Sequence, residues 1–115
     1  MKRDLAKNST HTLILAVLKN GALHGYAIAR EIERRSDNVL TCQEGILYPA
    51  LRALENDELV KSDWEIQASG PARKIYTLTP KGKRNLAQRT LALQKLNAAM
   101  NQVLGGDNGL SKAKS

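Results

Sequence analysis

The segment 44–55 carries the side chains best suited to a chemical task. Within it, Leu47, Leu51 and Leu54 recur at the i, i+4, i+7 spacing of one helix face. The other face presents an aromatic ring, a cation and a residue without a side chain, in the set Glu44, Gly45, Tyr48, Pro49 and Arg52. Such a face suits packing against a nucleic-acid groove better than it suits catalysis.

Several of these residues admit more than one role. Tyr48 is either an outward contact or a buried anchor, and its phase relative to Leu47 and Leu51 favours the outward position. Arg52 is either a solvated arginine or a contact to a phosphate or to guanine. Glu44 complements the helix dipole but would repel phosphate, so we interpret it as a cap. Pro49 costs little within the first turn, which predicts a helix start close to Glu44.

The sequence gives little indication of a metal site or of covalent catalysis. His11 and His24 lie far apart and have no Cys, Asp or Glu at ligand spacing. Cys42 precedes the helix at 44–55, where an inert buried thiol is favoured over a redox-active one. Neither a nucleophile with its base nor a phosphate-cradling glycine loop is recognisable, so the sequence predicts a protein that is not an enzyme and needs no cofactor.

Length and charge narrow the class further. The 115 residues suit one small domain with an appended helix. Lysine and arginine number 18 against 11 acidic residues, a net charge of +7 that favours a polyanionic partner. No run of about 18 apolar residues is present to span a bilayer. A polar N-terminus and a single cysteine predict a cytoplasmic protein without membrane partners.

The periodicities predict an α+β, mostly helical chain. A first helix capped by Ser9 or Thr10 carries an apolar stripe that ends at Gly21. After a turn at 21–25, a second helix from about Tyr26 buries Tyr26, Ile28 or Ala29, and Ile32. The second helix breaks at 36–38, and a third begins at Gln43 or Glu44. These three helices together satisfy the pattern of a helix-turn-helix.

A change of period after Leu59 predicts a β-hairpin. Val60, Ser62, Trp64 and Ile66 alternate with polar residues, and a second strand follows at about 73–78. Helices followed by a hairpin form a winged helix, whose wing presents Arg73 and Lys74, with Lys61 across from them, to a phosphate backbone. Trp64 is interpreted as a core residue of the hairpin in preference to a platform for a flat ligand.

Thr79 and Pro80 predict the start of a long last helix that runs to about Leu104. Its apolar seam, with the first helix filling in, predicts a homodimer through Leu13, Ile14, Val17, Leu86, Leu93, Leu96, Met100 and Val103. Arg89 should reach the edge of this seam or pair across it. The predicted units are a DNA-binding domain at 1–79, a dimerisation helix at 80–104 and a disordered tail at 105–115.

Taken together, Leu-His-Gly-Tyr-Ala-Ile at 23–28, Glu-Gly-Ile-Leu-Tyr-Pro-Ala-Leu at 44–51, Trp64, and Arg-Lys-Ile-Tyr-Thr-Leu-Thr-Pro-Lys-Gly at 73–82 resemble the PadR family of bacterial transcriptional regulators. The resemblance covers about 12–86 and indicates the small subfamily with a single dimerisation helix. Two departures stand out: Glu58 occupies a position where relatives usually have glycine, and Ile46 one where small or hydroxyl residues are common. Either Glu58 adopts a left-handed conformation or the turn shifts to Asn56 or Asp57.

The resemblance implies a DNA-binding transcriptional regulator, a dimeric repressor of an inverted-repeat operator that in some members is released by a small aromatic or drug-like effector. An effector cavity is expected at the dimer interface, between the first and last helices. The predicted contacts to double-stranded DNA are Tyr26, Gly45, Tyr48, Pro49, Arg52, Lys61, Arg73 and Lys74. The alternative function is a winged-helix module for protein contacts without sequence-specific DNA binding.

Overall fold

The computed structural model describes residues 3–4 and 7–105, with side chains from residue 9 onward. Within these residues the chain forms β1 (Arg3–Asp4), α1 (Lys7–Leu18), β2 (Leu23–His24), α2 (Gly25–Arg35), β3 (Leu40–Thr41), α3 (Glu44–Asn56), β4 (Val60–Glu65), β5 (Arg73–Leu78) and α4 (Pro80–Val103). The predicted α+β, mostly helical class is confirmed. In the described part of the chain, no helix is both long and apolar enough to cross a membrane.

The core lies between α1, α2, α3 and the base of the sheet. The predicted stripe of α3 is fully buried at Leu47, Leu51 and Leu54, and it belongs to the same core cluster as Ile14 and Leu15 of α1. The spacing of these leucines therefore fixes the rotation of α3, because only one face of a helix can enter the core. As a result, Gly45, Pro49 and Arg52 are exposed.

A three-stranded sheet has the order β2-β5-β4. The hairpin β4–β5, which we call the wing, pairs Val60 with Leu78 and Glu65 with Arg73. This confirms the predicted winged helix. On the other edge of β5, Leu23 of β2 pairs with Tyr76, although a turn was predicted at this place. A strand of two residues is too short to show the alternation by which strands are predicted. A second short pairing, β1 with β3, was also not predicted.

The start of α1 differs from the prediction. The helix begins at Lys7, so Ser9 and Thr10 lie inside it and do not cap it. Thr10 is fully buried on the core side. The other predicted starts agree within one residue, since α2 begins at Gly25 and α3 at Glu44.

In the turn after α3 the left-handed residue is Glu58, and the turn is not shifted to Asn56 or Asp57. Glu58 adopts the left-handed conformation, with φ of 63°, whereas Asp57 has an ordinary φ of −84°. The amide of Leu59 donates to the carbonyl of Leu54 at 2.9 Å, and that of Glu58 to Glu55 at 3.0 Å. These two bonds form a Schellman motif, which fixes the direction of the chain into β4.

The start of α4 is tied to this turn. As predicted, Thr79 caps the helix, its Oγ1 accepting from the amide of Gly82 at 2.9 Å, and Pro80 occupies the first position. The same hydroxyl donates to the carbonyl of Glu58 at 2.7 Å. A Cβ on Gly82 would lie 2.0 Å from the carbonyl oxygen of Leu59, so only glycine allows this close packing.

The predicted dimerisation residues fall into two groups. Ile14, Val17 and Leu86 are buried by their own chain, so their place in a dimer interface has to be corrected. Leu93, Leu96, Met100 and Val103 are exposed and Leu13 is partly exposed. Arg89, predicted to reach the edge of the seam or to pair across it, donates from its guanidinium to Asn85 and to Thr12 of its own chain. Gly105, with φ of 82°, follows α4, and 106–115 of the predicted tail lie outside the described residues.

Candidate nucleic-acid interface

A basic groove separates α2, α3 and the wing. This cationic groove encloses about 420 Å³ and is lined by His24, Gly25, Tyr26, Tyr48, Arg52, Arg73, Lys74 and Tyr76. It brings together five of the eight predicted DNA contacts: Tyr26, Tyr48, Arg52, Arg73 and Lys74. Tyr76 is buried beneath it, and burial, followed by the Glu55 carboxylate, raises the pKa of its phenol. Three cations and a set of tyrosines thus surround a space open to a polyanion.

The outward face of α3 borders this groove. Gly45, Pro49 and Arg52 are exposed there, and a Cβ on Gly45 would meet no atom within 4 Å. Pro49 is the sixth residue of α3, so it lies in the second turn and not in the first as predicted. Because proline has no amide hydrogen, the carbonyl of Gly45 has no donor four residues on.

Tyr48 is neither a fully outward contact nor a fully buried anchor, the two roles considered from the sequence. It is partly buried against the core and also lines the cationic groove. Its ring lies against the first residue of α2, where a Cβ on Gly25 would be 2.8 Å from both Cε1 and the hydroxyl oxygen of Tyr48. Gly25 therefore makes room for the ring of Tyr48 at the side of the groove.

Tyr26 does not pack under the helices as predicted, because 64% of it is exposed. The buried face of α2 consists of Gly25, Ile28, Ala29 and Ile32, and Tyr26 falls outside that face. Its hydroxyl instead accepts from Arg30 Nη1 at 2.9 Å, and the Arg30 guanidinium lies 5.7 Å from the ring centroid. Sequence reasoning left Arg30 out of the interface, although its i, i+4 spacing from Tyr26 signals this contact.

The two predicted cations of the wing, Arg73 and Lys74, are adjacent in β5 and leave the strand on opposite sides, although both border the cationic groove. Lys74 pairs with Trp64, and its Nζ lies 5.8 Å from the centroid of the indole. Trp64 is 67% exposed, so its assignment to the core was wrong: the wing extends beyond the helices that would cover it. Lys61 was misplaced as well, since it pairs with Thr77 near the base of the wing and not with Arg73 or Lys74.

On the other face of the wing, Arg73 and His24 share one carboxylate. Arg73 Nη2 lies 3.5 Å from Glu65 Oε1, and His24 Nε2 donates to the same oxygen at 2.9 Å. The hydrogen bond from His24, with the nearby Arg73 charge, lowers the pKa of Glu65. Sequence reasoning missed His24 and Glu65 because β2 was taken for a turn, and only β2 brings His24 to the sheet.

The arginines at the end of α2 are paired within the helix. Glu31 accepts from Arg34 and from Arg35, each at 2.7 Å, and these bonds lower the pKa of Glu31 to about 2. Cys42 is buried, and burial raises the pKa of its thiol. Among the described residues no three His, Cys, Asp or Glu side chains are grouped to hold a metal ion.

Comparison with known proteins agrees with this architecture. The family described as the transcriptional regulator PadR-like family matches residues 14–88. Transcriptional regulator Rv3488 of Mycobacterium tuberculosis is 31% identical over 106 residues, which cover 92% of each chain. The negative transcriptional regulator PadR of Bacillus subtilis is 30% identical over 73 residues, 64% of this chain and 40% of that protein.

Solved structures share the same fold. The crystal structure of a PadR family transcription regulator from Clostridium difficile R20291 is 34% identical, with a TM-score of 0.73, over 83% of this chain and 97% of that one. Smu.1704 from Streptococcus mutans, at 23% identity, has a TM-score of 0.79 over 96% of this chain and all of its own, which shows the fold alone. The family match spans the end of α1, all of α2, α3 and the wing, and the first turns of α4, and this chain belongs to the PadR-like family of transcriptional regulators.

Proposed function

We propose that this regulator is a dimeric repressor that binds an inverted-repeat operator and is released by a small aromatic effector. The observation that carries the proposal is the cationic groove beside the exposed face of α3. One surface thereby offers a helix for a DNA groove and cations for the backbone that flanks it.

In the proposed complex, α3 enters the major groove with Gly45, Pro49 and Arg52 toward the base edges. The exposed, side-chain-free Gly45 lets the helix approach closely, and Arg52 has the donor geometry that guanine accepts. A backbone phosphate then enters the cationic groove, where Arg73 and Lys74 border it from the wing. Lys61 lies nearer the base of the wing and contributes less.

Dimerisation is supported by the second half of α4. Leu93, Leu96 and Met100 are between 41% and 54% exposed and share one side of a helix that no other described element covers. Burying a leucine or methionine side chain stabilises by about 1.5–3 kcal/mol, so a second copy of α4 is a favourable cover. A two-fold arrangement would set two α3 helices about 34 Å apart, as an inverted repeat requires.

An effector site is supported by a groove between α1 and α4. It encloses about 670 Å³ and is lined by Ala16, Lys19, Lys83, Leu86, Ala87, Thr90, Leu91 and Gln94. The lining is mostly apolar, with a lysine from each helix, which suits an aromatic acid. A molecule bound there would touch α1, which packs on α3, and α4, which is the proposed dimer helix. Such a molecule could thus change the distance between the two α3 helices.

Gel-shift measurements with genomic fragments test the proposal and separate it from the protein-interaction alternative. A repressor retards a subset of fragments in the presence of excess competitor DNA, and aromatic acids then release that subset. Retardation of no fragment, at low salt and micromolar protein, would favour the winged-helix module for protein contacts. Retardation of all fragments equally would contradict sequence-specific repression.

A further inference from the structure

The carboxylate of Glu65 holds two cationic or hydrogen-bonding groups at the outer end of the wing. Glu65 is the last residue of β4 and pairs with Arg73, the first residue of β5. His24 comes from the far edge of the sheet and reaches across β5 to the same oxygen. Three strands therefore converge on one carboxylate beside the cationic groove.

The contact between Glu65 and Arg73 is exchangeable. The side chains are 44% and 50% exposed, and their 3.5 Å separation is long for an ion pair. The bond from His24 is shorter, at 2.9 Å, and keeps the carboxylate in place if Arg73 leaves. Because the pKa of Glu65 is lowered by His24 and Arg73, the carboxylate carries its full charge at neutral pH.

We propose that Glu65 is a positioning residue that competes with DNA phosphates for Arg73 and so weakens the grip of the wing on DNA. This inference rests on the proposed DNA-binding function. In free protein the Arg73 guanidinium is partly neutralised, and on binding it must exchange a protein carboxylate for a phosphate. His24 retains Glu65 on the sheet during that exchange, which lowers the cost of releasing Arg73.

The first test compares two variants that remove the same charge from the same strand. Glu65→Gln removes the partner of Arg73, whereas Asp63→Asn removes a carboxylate that pairs with Ile75 in the strand register. We expect Glu65→Gln to tighten binding to duplex DNA up to about fivefold more than Asp63→Asn, the range of an exposed ion pair. The salt dependence should steepen by up to about one unit of slope.

The effect must pass through Arg73. In an Arg73→Gln background, Glu65→Gln should therefore change affinity no more than Asp63→Asn does, and the two substitutions should be non-additive. A gain that persists without Arg73, or a gain that Asp63→Asn reproduces, would overturn the inference. Wild-type protein that fails to bind any duplex would instead contradict the proposed function, so the two failures are distinguishable.

His24 supplies a test of opposite sign. His24→Ala leaves Glu65 with Arg73 as its remaining described partner, so binding to DNA should weaken, and this weakening should disappear when Glu65→Gln is also present. Weakening that survives in the Glu65→Gln background would mean that His24 contacts DNA itself and would reject its role through Glu65. Thermal unfolding of each variant establishes that the fold is retained.

Discussion

The ring of Tyr48 lies where a side chain on Gly25 would stand. A Cβ on Gly25 would be 2.8 Å from the Tyr48 hydroxyl oxygen, closer than such atoms approach in proteins. The first residue of α2 thus determines where an aromatic ring of α3 sits in the cationic groove. The missing Cβ of Gly25 in α2 therefore leaves the space that the Tyr48 ring occupies.

Replacing Gly25 with Ala should therefore displace Tyr48. Gly45→Ala is the matched control, since a Cβ there meets nothing within 4 Å, and it should raise the free energy of unfolding by about 0.5–1 kcal/mol. Gly25→Ala should raise the free energy of unfolding by less, as measured by chemical denaturation, because the end of the Tyr48 ring has to shift. Equal gains from both substitutions would show that Tyr48 does not depend on Gly25.

Tyr48 itself should matter more for the operator than for other DNA. It is partly buried against the core and lies beside Gly25 of α2, so Tyr48→Ala removes packing that orients α3 as well as any contact of the ring with DNA. We expect a larger loss of affinity for operator fragments than for random duplex in binding titrations. A uniform loss on both DNA types would assign Tyr48 to the backbone contacts.

Glu58 is a site where substitution should stabilise the protein. Its left-handed φ of 63° costs on the order of 1 kcal/mol, which glycine would not incur. Glu58→Gly should raise the free energy of unfolding by about that amount, measured in urea. Asp57→Gly, with φ of −84°, is the control and should lower it. Stabilisation by Asp57→Gly instead would shift the turn by one residue.

These residues also show how far sequence reasoning extends. The leucines of α3 and the cap at Thr79 were predictable because burial and capping follow local spacing. Tyr26 and Trp64 were misplaced because being aromatic does not show whether another element covers the side chain. The contact between His24 and Glu65 depends on a two-residue strand and on residues 41 positions apart, which leave no local pattern.

Acid should remove the stabilisation that Glu31 provides. Its folded pKa is about 2, below the ordinary 4.5, because Arg34 and Arg35 donate to the carboxylate. A carboxylate whose pKa is lower in the folded state stabilises that state at pH values above its ordinary pKa. This contribution is lost as pH falls from about 4.5 through about 2. The difference in unfolding free energy between wild type and Glu31→Gln should therefore shrink across that window. Glu33→Gln controls for removal of one charge from the same helix.

The wing cations should determine the salt dependence of binding. Replacing Arg73 and Lys74 together with Ala should weaken binding to all sequences and reduce the slope of affinity against salt by up to about two units. Lys61→Ala, in the same hairpin but opposite Thr77, should change the slope less. An equal effect from Lys61 alone would mean that the base of the wing, not its end, lies on the backbone.

The exposed side of α4 yields a test of assembly. Leu93 and Met100 are seven residues apart on the apolar side, so Leu93→Asp with Met100→Asp places two charges in the proposed dimer interface. We expect a monomer in sedimentation at micromolar concentration and loss of operator binding. Ala98→Asp with Gln102→Asp adds the same charge on the opposite side of the helix at 100° per residue and should leave the dimer intact. Wild-type protein that sediments as a monomer and still binds its operator tightly would contradict the dimer, since one α3 would then suffice.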